Sequence, residues 1–136
     1  MRTTRSLTLT AALLRAYSRR GNFHSEPDEA RRIGLPGLVA QGMQVAGPAF
    51  AIALDAWGGD FLAHGIIDLK FVGMVTEGQT VDAVVDPDPD PDGDGDGDGD
   101  VASAFGATVT VTNRDTGAVG IVGTMRRSGP GRAAPG

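Results

Sequence analysis

The sequence predicts an α+β domain in which one sheet wraps around one helix, and three features carry that reading. The stretch from Leu38 to Trp57 is the most apolar in the chain and is built mainly from small residues, among them Ala40, Gly42, Ala46, Ala49, Ala53 and Ala56. Beyond it the apolar pattern changes to period two, over Ile66–Val75, Thr80–Val85, Val101–Asn113 and Ala118–Met125, each rich in Val, Ile and Thr. With 136 residues the chain is the size of one domain.

Ahead of these segments, Leu7–Thr10 reads as a short strand, and Ala11–Ser18 as a two-turn helix through Leu13, Leu14 and Tyr17. The run from Arg19 to Ser25 reads as a loop. A short helix over Pro27–Ile33 should follow, with Ser25 as its cap, Pro27 in the first turn and Gly34 after its end. The long apolar segment has the length of a helix buried on most faces, interrupted at Pro48 because proline removes a backbone donor. The last two strands should form a hairpin across Asn113–Gly117, where Gly117 can supply a positive φ.

Charge is unevenly placed. Every second residue from Asp86 to Asp100 is an aspartate, and removing those eight turns the formal −5 into +3. The Asp-Pro and Asp-Gly repeats have no apolar side chain to offset ordering, so 86–100 is expected to be a disordered acidic insertion between two strands. A calcium loop is the other reading of alternating Asp and Gly, but such loops end in a bidentate Glu and none is present. The domain is expected to span residues 1–127, with a disordered tail over 128–136. Arginines cluster at Arg15, Arg19, Arg20, Arg31 and Arg32, and again at Arg126, Arg127 and Arg132. These fit a solvated surface or an anionic ligand. No basic helix is paired with stacking aromatics, so nucleic acid is not an expected partner.

The chain contains no cysteine, which excludes a disulfide framework, a thiolate metal site and a thiol nucleophile. Two histidines forty residues apart do not make a metal-ligand spacing, and no metal is expected. Only the four-residue apolar patch Ala11–Leu14 follows the basic start, too short for a signal peptide. No apolar run approaches the length of a membrane span, so a cytoplasmic protein is expected.

The passage Gly21-Asn-Phe-His-Ser-Glu-Pro-Asp-Glu-Ala-Arg-Arg-Ile-Gly-Leu-Pro-Gly-Leu-Val-Ala-Gln-Gly-Met43 resembles the signature of the MaoC-like hydratases and dehydratases. In that family an Asp and a His sit in a loop of the form D-x-N-P-x-H. An acid-rich short helix and a glycine turn follow, and then a small motif such as A-H-G-M that opens the central helix of a hot-dog fold. The resemblance covers residues 7 to about 57, and Ile67–Val75 agrees with it in character.

The resemblance implies a single hot-dog domain that adds water to, or removes it from, the 2,3 position of an acyl thioester. The substrate would be carried on coenzyme A or an acyl carrier protein, in fatty acid or polyketide metabolism, with no resident cofactor. His24 matches the family's catalytic His, and Gly42 the glycine whose amide faces the thioester oxygen. Asn22 and Gln41 match polar positions that orient the substrate, Gln41 standing where the family usually has a second His. The family's Asp does not carry over, because its position falls on Arg19 or Arg20, both candidate substrate-binding residues. A guanidinium is always protonated near neutral pH and cannot serve as a base. Glu26, Asp28, a residue of a partner subunit, or His24 alone would have to fill the gap.

Other readings of the same residues stay open. Asn22 is equally a left-handed turn residue and Gln41 a helix-start hydrogen-bonding group; a structural loop histidine is the lesser reading of His24, and His64 reads as a turn residue. Two further functions are a hot-dog thioesterase using Gln41 and a non-catalytic acyl-binding subunit that pairs with an intact hydratase. The family implies a homodimer with a continuous sheet, or a heterodimer with a second hot-dog chain.

Overall fold

In the computed structural model, residues 2–89 and 99–127 are described, and they form five strands and five helices. Strand β1 (Thr3–Thr8) leads into helix α1 (Ala11–Tyr17), whose cap is Thr10, accepting from the Leu13 amide. Helix α2 (Pro27–Arg32) follows the loop, and α3 (Gly42–Val45) runs into α4 (Gly47–Trp57). After α5 (Gly59–His64) come β2 (Ile66–Phe71), β3 (Thr80–Pro87), β4 (Gly106–Asn113) and β5 (Val119–Arg126).

The strands make one antiparallel sheet in the order β1-β3-β4-β5-β2. Alternation of burial follows the pleat: Val81, Ala83 and Val85 of β3 and Ala107, Val109 and Val111 of β4 face inward, with Thr residues between the latter facing out. Helix α4 lies across this face and buries Pro48, Ala49, Ile52, Ala53 and Trp57. The helix is therefore buried along one stripe only, against the expectation of burial on most faces. A single sheet layer covers one side, and Leu54 and Asp55 stay exposed. Ala46, Ala49 and Ala53 are fully buried, so the helix backbone approaches the sheet closely.

Several boundaries differ from the sequence reading. Leu38–Ala40 is extended, with Val39 in an isolated bridge to Thr76, so the apolar segment opens as a strap instead of a helix. The interruption falls at Ala46, two residues before Pro48, because proline sits in the first turn of α4, where its missing donor has no acceptor to lose. Ser25 does not cap α2; Glu26 occupies that position, and the Ser25 hydroxyl donates to the Glu26 carboxylate. His64 ends α5, a helix the period-two reading missed, and β2 stops at Phe71.

The acidic run is bounded more tightly than its composition suggests. Asp86 and Pro87 belong to β3, and Asp88 N–H donates to Gly106 O. At the other end Asp100 caps a 3-10 turn, Val101–Ser103, that replaces the expected start of a strand. The remainder of the insertion, 90–98, and the tail 128–136 lie outside the described residues. Trp57 Nε1 donates to Val101 O at 2.7 Å and so ties the end of α4 to this turn. The hairpin reading holds: Gly117 has φ 77°, and Asn113 Oδ1 accepts from the amides of Asp115 and Thr116. Among the described residues no helix is long and apolar enough to cross a membrane.

The edge strand β2 approaches β5 too closely for a side chain at Gly123, where a Cβ would lie 2.0 Å from Asp68 O. Nothing lies within 4 Å of a Cβ at Gly47. Gly123→Ala should therefore destabilise the protein by ~1–3 kcal/mol through forced backbone displacement, while Gly47→Ala should be neutral or stabilising by up to ~1 kcal/mol. Urea midpoints of the two variants check this, and equal midpoints would contradict it.

Candidate active site

The residues between α1 and α2 fold back on themselves through the Asn22 side chain. Its Oδ1 accepts from the His24 amide at 2.9 Å and from the Ser18 hydroxyl at 3.3 Å. Its carbonyl oxygen accepts from the amides of Ser25 and Glu26. Ser25 is fully buried beneath the loop, and Arg15 Nε donates to its carbonyl at 3.1 Å. Among the described residues only glycines take a positive φ, so Asn22 is not the left-handed turn residue of the alternative reading. It acts through its side chain, as an Asx group that shapes the loop.

This loop is clipped to the strap at 38–40. Val39 N–H donates to Phe23 O at 3.4 Å, and His24 Nδ1 lies 2.6 Å from Val39 O. The other side of the strap is fixed by Ala40 N–H on Val75 O at 2.8 Å and by Leu38 N–H on the Glu77 carboxylate at 3.0 Å. A carbonyl can only accept, so Nδ1 carries the proton in this bond and the neutral ring keeps its lone pair on Nε2. The Phe23 ring packs on that of His24 at 4.1 Å between centroids.

An open cleft of about 510 Å³ is lined by Tyr17, Arg19, Asn22, Phe23, His24 and Gln41. Four of the six candidate site residues thus converge. Gly42 lines a neighbouring apolar groove of about 390 Å³ with Val39, Phe71 and Met74, where a Cβ on Gly42 would meet the Phe71 ring at 2.7 Å. The strap and the start of α3 divide the two depressions. Gly42 is the first residue of α3, and its N–H has no intrahelical acceptor.

Arg20 does not join them. Its Nε donates to Glu26 at 2.9 Å, and it does not line the cleft. Tyr17 and Phe23, by contrast, line the cleft although the sequence marked neither; a helix period shows that Tyr17 shares a face with Leu13 and Leu14, but not what that face adjoins.

Glu26 and Asp28 were the acids within the chain able to replace the missing Asp, and neither lines the cleft. The Glu26 carboxyl is held at about 2, below its ordinary 4.5, by hydrogen bonds from Arg20 first and then from the Gly21 amide and the Ser25 hydroxyl. Such a carboxylate is a poor base. Asp28 is exposed and paired with Arg31. Among the described residues no group of three His, Asp or Glu gathers as metal ligands.

No family model matches the sequence, and no curated protein matches it. Solved structures do match the fold. The (R)-hydratase from A. caviae involved in PHA biosynthesis superposes with a TM-score of 0.63 at 19% identity, covering 93% of each chain. This is a hot-dog domain. A MaoC-like dehydratase from Phytophthora capsici gives a TM-score of 0.67 at 15% identity over 97% of this chain and 41% of that one. The ChsH1-ChsH2 complex from Mycobacterium tuberculosis contributes a chain with a TM-score of 0.59 at 14% identity, covering 91% of this chain and 92% of that one. The hot-dog domain therefore has the form of the fold found among MaoC-like proteins, one of which is part of a two-protein complex. At these identities the likeness carries the fold alone.

The depressed pKa of Glu26 has a stability consequence. Because the folded-state value lies below the unfolded one, the ion pair's contribution is complete above pH 4.5 and is lost as the pH falls toward 2. Asp82 behaves likewise, lowered from 3.8 to about 2 chiefly by its hydrogen bond from Arg114, with Ser6 adding another. Unfolding free energy should therefore drop between pH 4.5 and 2, and Glu26→Gln should flatten its upper portion while leaving the part due to Asp82. An unchanged slope in Glu26→Gln would contradict the assignment.

Proposed function

We propose that this hot-dog domain catalyses the reversible addition of water to a 2-enoyl thioester, giving a 3-hydroxyacyl thioester on coenzyme A or an acyl carrier protein. The observation that carries the reading is the 2.6 Å bond from His24 Nδ1 to Val39 O, which leaves Nε2 as a basic nitrogen in a cleft that also holds Asn22 and Gln41. The likeness in fold to an (R)-hydratase and a MaoC-like dehydratase supports it.

In this reading His24 Nε2 removes a proton from water as the water oxygen bonds to C3. The C2–C3 π electrons move to the thioester oxygen as an enolate, and the imidazolium then returns the proton to C2, so that one water is added in total. One histidine does both proton transfers in this reading, since among the described residues no carboxylate lines the cleft. The Gly42 amide stabilises the developing oxyanion. Gln41 offers both a donor and an acceptor with which to hold the water. Asn22 positions His24 through the loop.

Arg19 standing in the cleft favours one other reading, a non-catalytic acyl-binding subunit that pairs with an intact hydratase. Loss of the enoyl-thioester absorbance separates the two. The purified protein should hydrate crotonyl thioester to the 3-hydroxy product, and His24→Ala should lower kcat by roughly a hundredfold or more. Binding of the thioester without turnover supports the subunit reading, and release of free thiol would indicate a thioesterase.

Partnering through β2 belongs to the same proposal. Its outer edge pairs with no strand among the described residues, and Ile66, Ile67 and Phe71 are all exposed there. Such an apolar edge suits pairing with a second hot-dog chain. Sedimentation should give a dimer for the wild type and a monomer for Ile67→Asp; a wild-type monomer would remove the homodimer, leaving a second chain as the partner.

A further inference from the structure

Five arginines surround the cleft loop, and four of them are committed. Arg15 Nε donates to Ser25 O, Arg20 pairs with Glu26, Arg31 with Asp28 and Arg32 with Glu29. The Arg19 carbonyl accepts from the Ser18 hydroxyl at 2.8 Å, but its guanidinium makes no ion pair or hydrogen bond among the described residues, and it is the one of the five that lines the cleft. Among the described residues no carboxylate lines the cleft to balance it, and none of the six lining residues is aliphatic.

We infer that Arg19 is a specificity-determining residue that binds a carboxylate on the acyl portion of the substrate. The inference rests on the hydratase reading, which fixes the direction of the acyl group. His24 acts on the two carbons on the acyl side of the thioester carbonyl, and Gly42 on the carbonyl itself. The acyl end therefore lies in the cleft that His24 shares with Arg19, while the carrier arm leaves on the side of the apolar groove. An alkyl chain in the cleft would have only the Tyr17, Phe23 and His24 rings to bury against. A carboxylate would find a guanidinium fork suited to bidentate contact, with the Tyr17 hydroxyl and the Gln41 amide as further donors in the same lining. The preferred substrate class is accordingly a short dicarboxylic enoyl monothioester.

Non-reacting analogues test this apart from turnover. Glutaryl and pentanoyl thioesters have the same chain length and differ in the terminal carboxylate, and each can be carried on coenzyme A or on N-acetylcysteamine, which has no phosphate. Calorimetry on the full chain should show the glutaryl thioester binding about tenfold more tightly than the pentanoyl one on both carriers. Arg19→Gln should bring that ratio close to one, Arg19→Lys should retain part of it, and Arg20→Gln should leave it intact. Equal binding by the wild type, or a preference that survives Arg19→Gln, would overturn the inference. So would an Arg19→Gln loss that is equal for both coenzyme A thioesters and absent for both N-acetylcysteamine ones, since the anion would then be a carrier phosphate. If the pentanoyl thioesters bind and the glutaryl ones do not, the inference falls and the hydratase reading stands; if none of the four binds, both fall.

Discussion

Much of this architecture depends on how closely α4 can approach the sheet. Ala46, Ala49 and Ala53 are all fully buried, and opposite them stand Val81, Ala83, Val85, Val109 and Val111. Small side chains on the helix and mainly valines on the strands let the two surfaces come together in one buried cluster. Because α4 is fixed in this way, α3 begins at a fixed place, and the strap before it must run back along the sheet margin to Thr76. Gln44 Nε2 donating to Leu13 O joins the start of that helix pair to α1. The cleft is thus a product of core packing, framed by elements that meet only because the helix is narrow.

Electrostatics then separates neighbouring residues of similar type. Arg19 and Arg20 are adjacent in sequence, yet one lines the cleft and the other is held by a carboxylate. Glu26, the acid nearest to the catalytic candidate in sequence, is already occupied by three donors. Among the described residues the cleft therefore holds the His24 and Tyr17 rings, the Arg19 cation and no carboxylate.

The sequence made the sheet legible because strands with one buried face show their period directly. Ala107, Val109 and Val111 alternate with Thr108, Thr110 and Thr112, and Asn113 and Gly117 mark the last hairpin. The convergence of His24, Asn22 and Gln41 was legible through family resemblance, since nothing in their spacing alone brings residue 41 next to residue 24. What stayed hidden depended on long-range partners. Leu38–Ala40 has the composition of a buried helix and is extended because Val75 and Thr76 offer it backbone pairs. Ser25 resembles a cap, but Arg20 and Gly21 draw Glu26 into that role and the serine turns inward. Distinguishing Arg19 from Arg20 needed the loop's actual path.

The acceptor that fixes the proton on His24 is a main-chain carbonyl, where enzymes often use a carboxylate. Every residue type has that group, so no substitution at position 39 deletes it. Substitutions can therefore change the cleft's walls and its charge while the imidazole keeps the same tautomer, provided the strap stays bridged to Thr76.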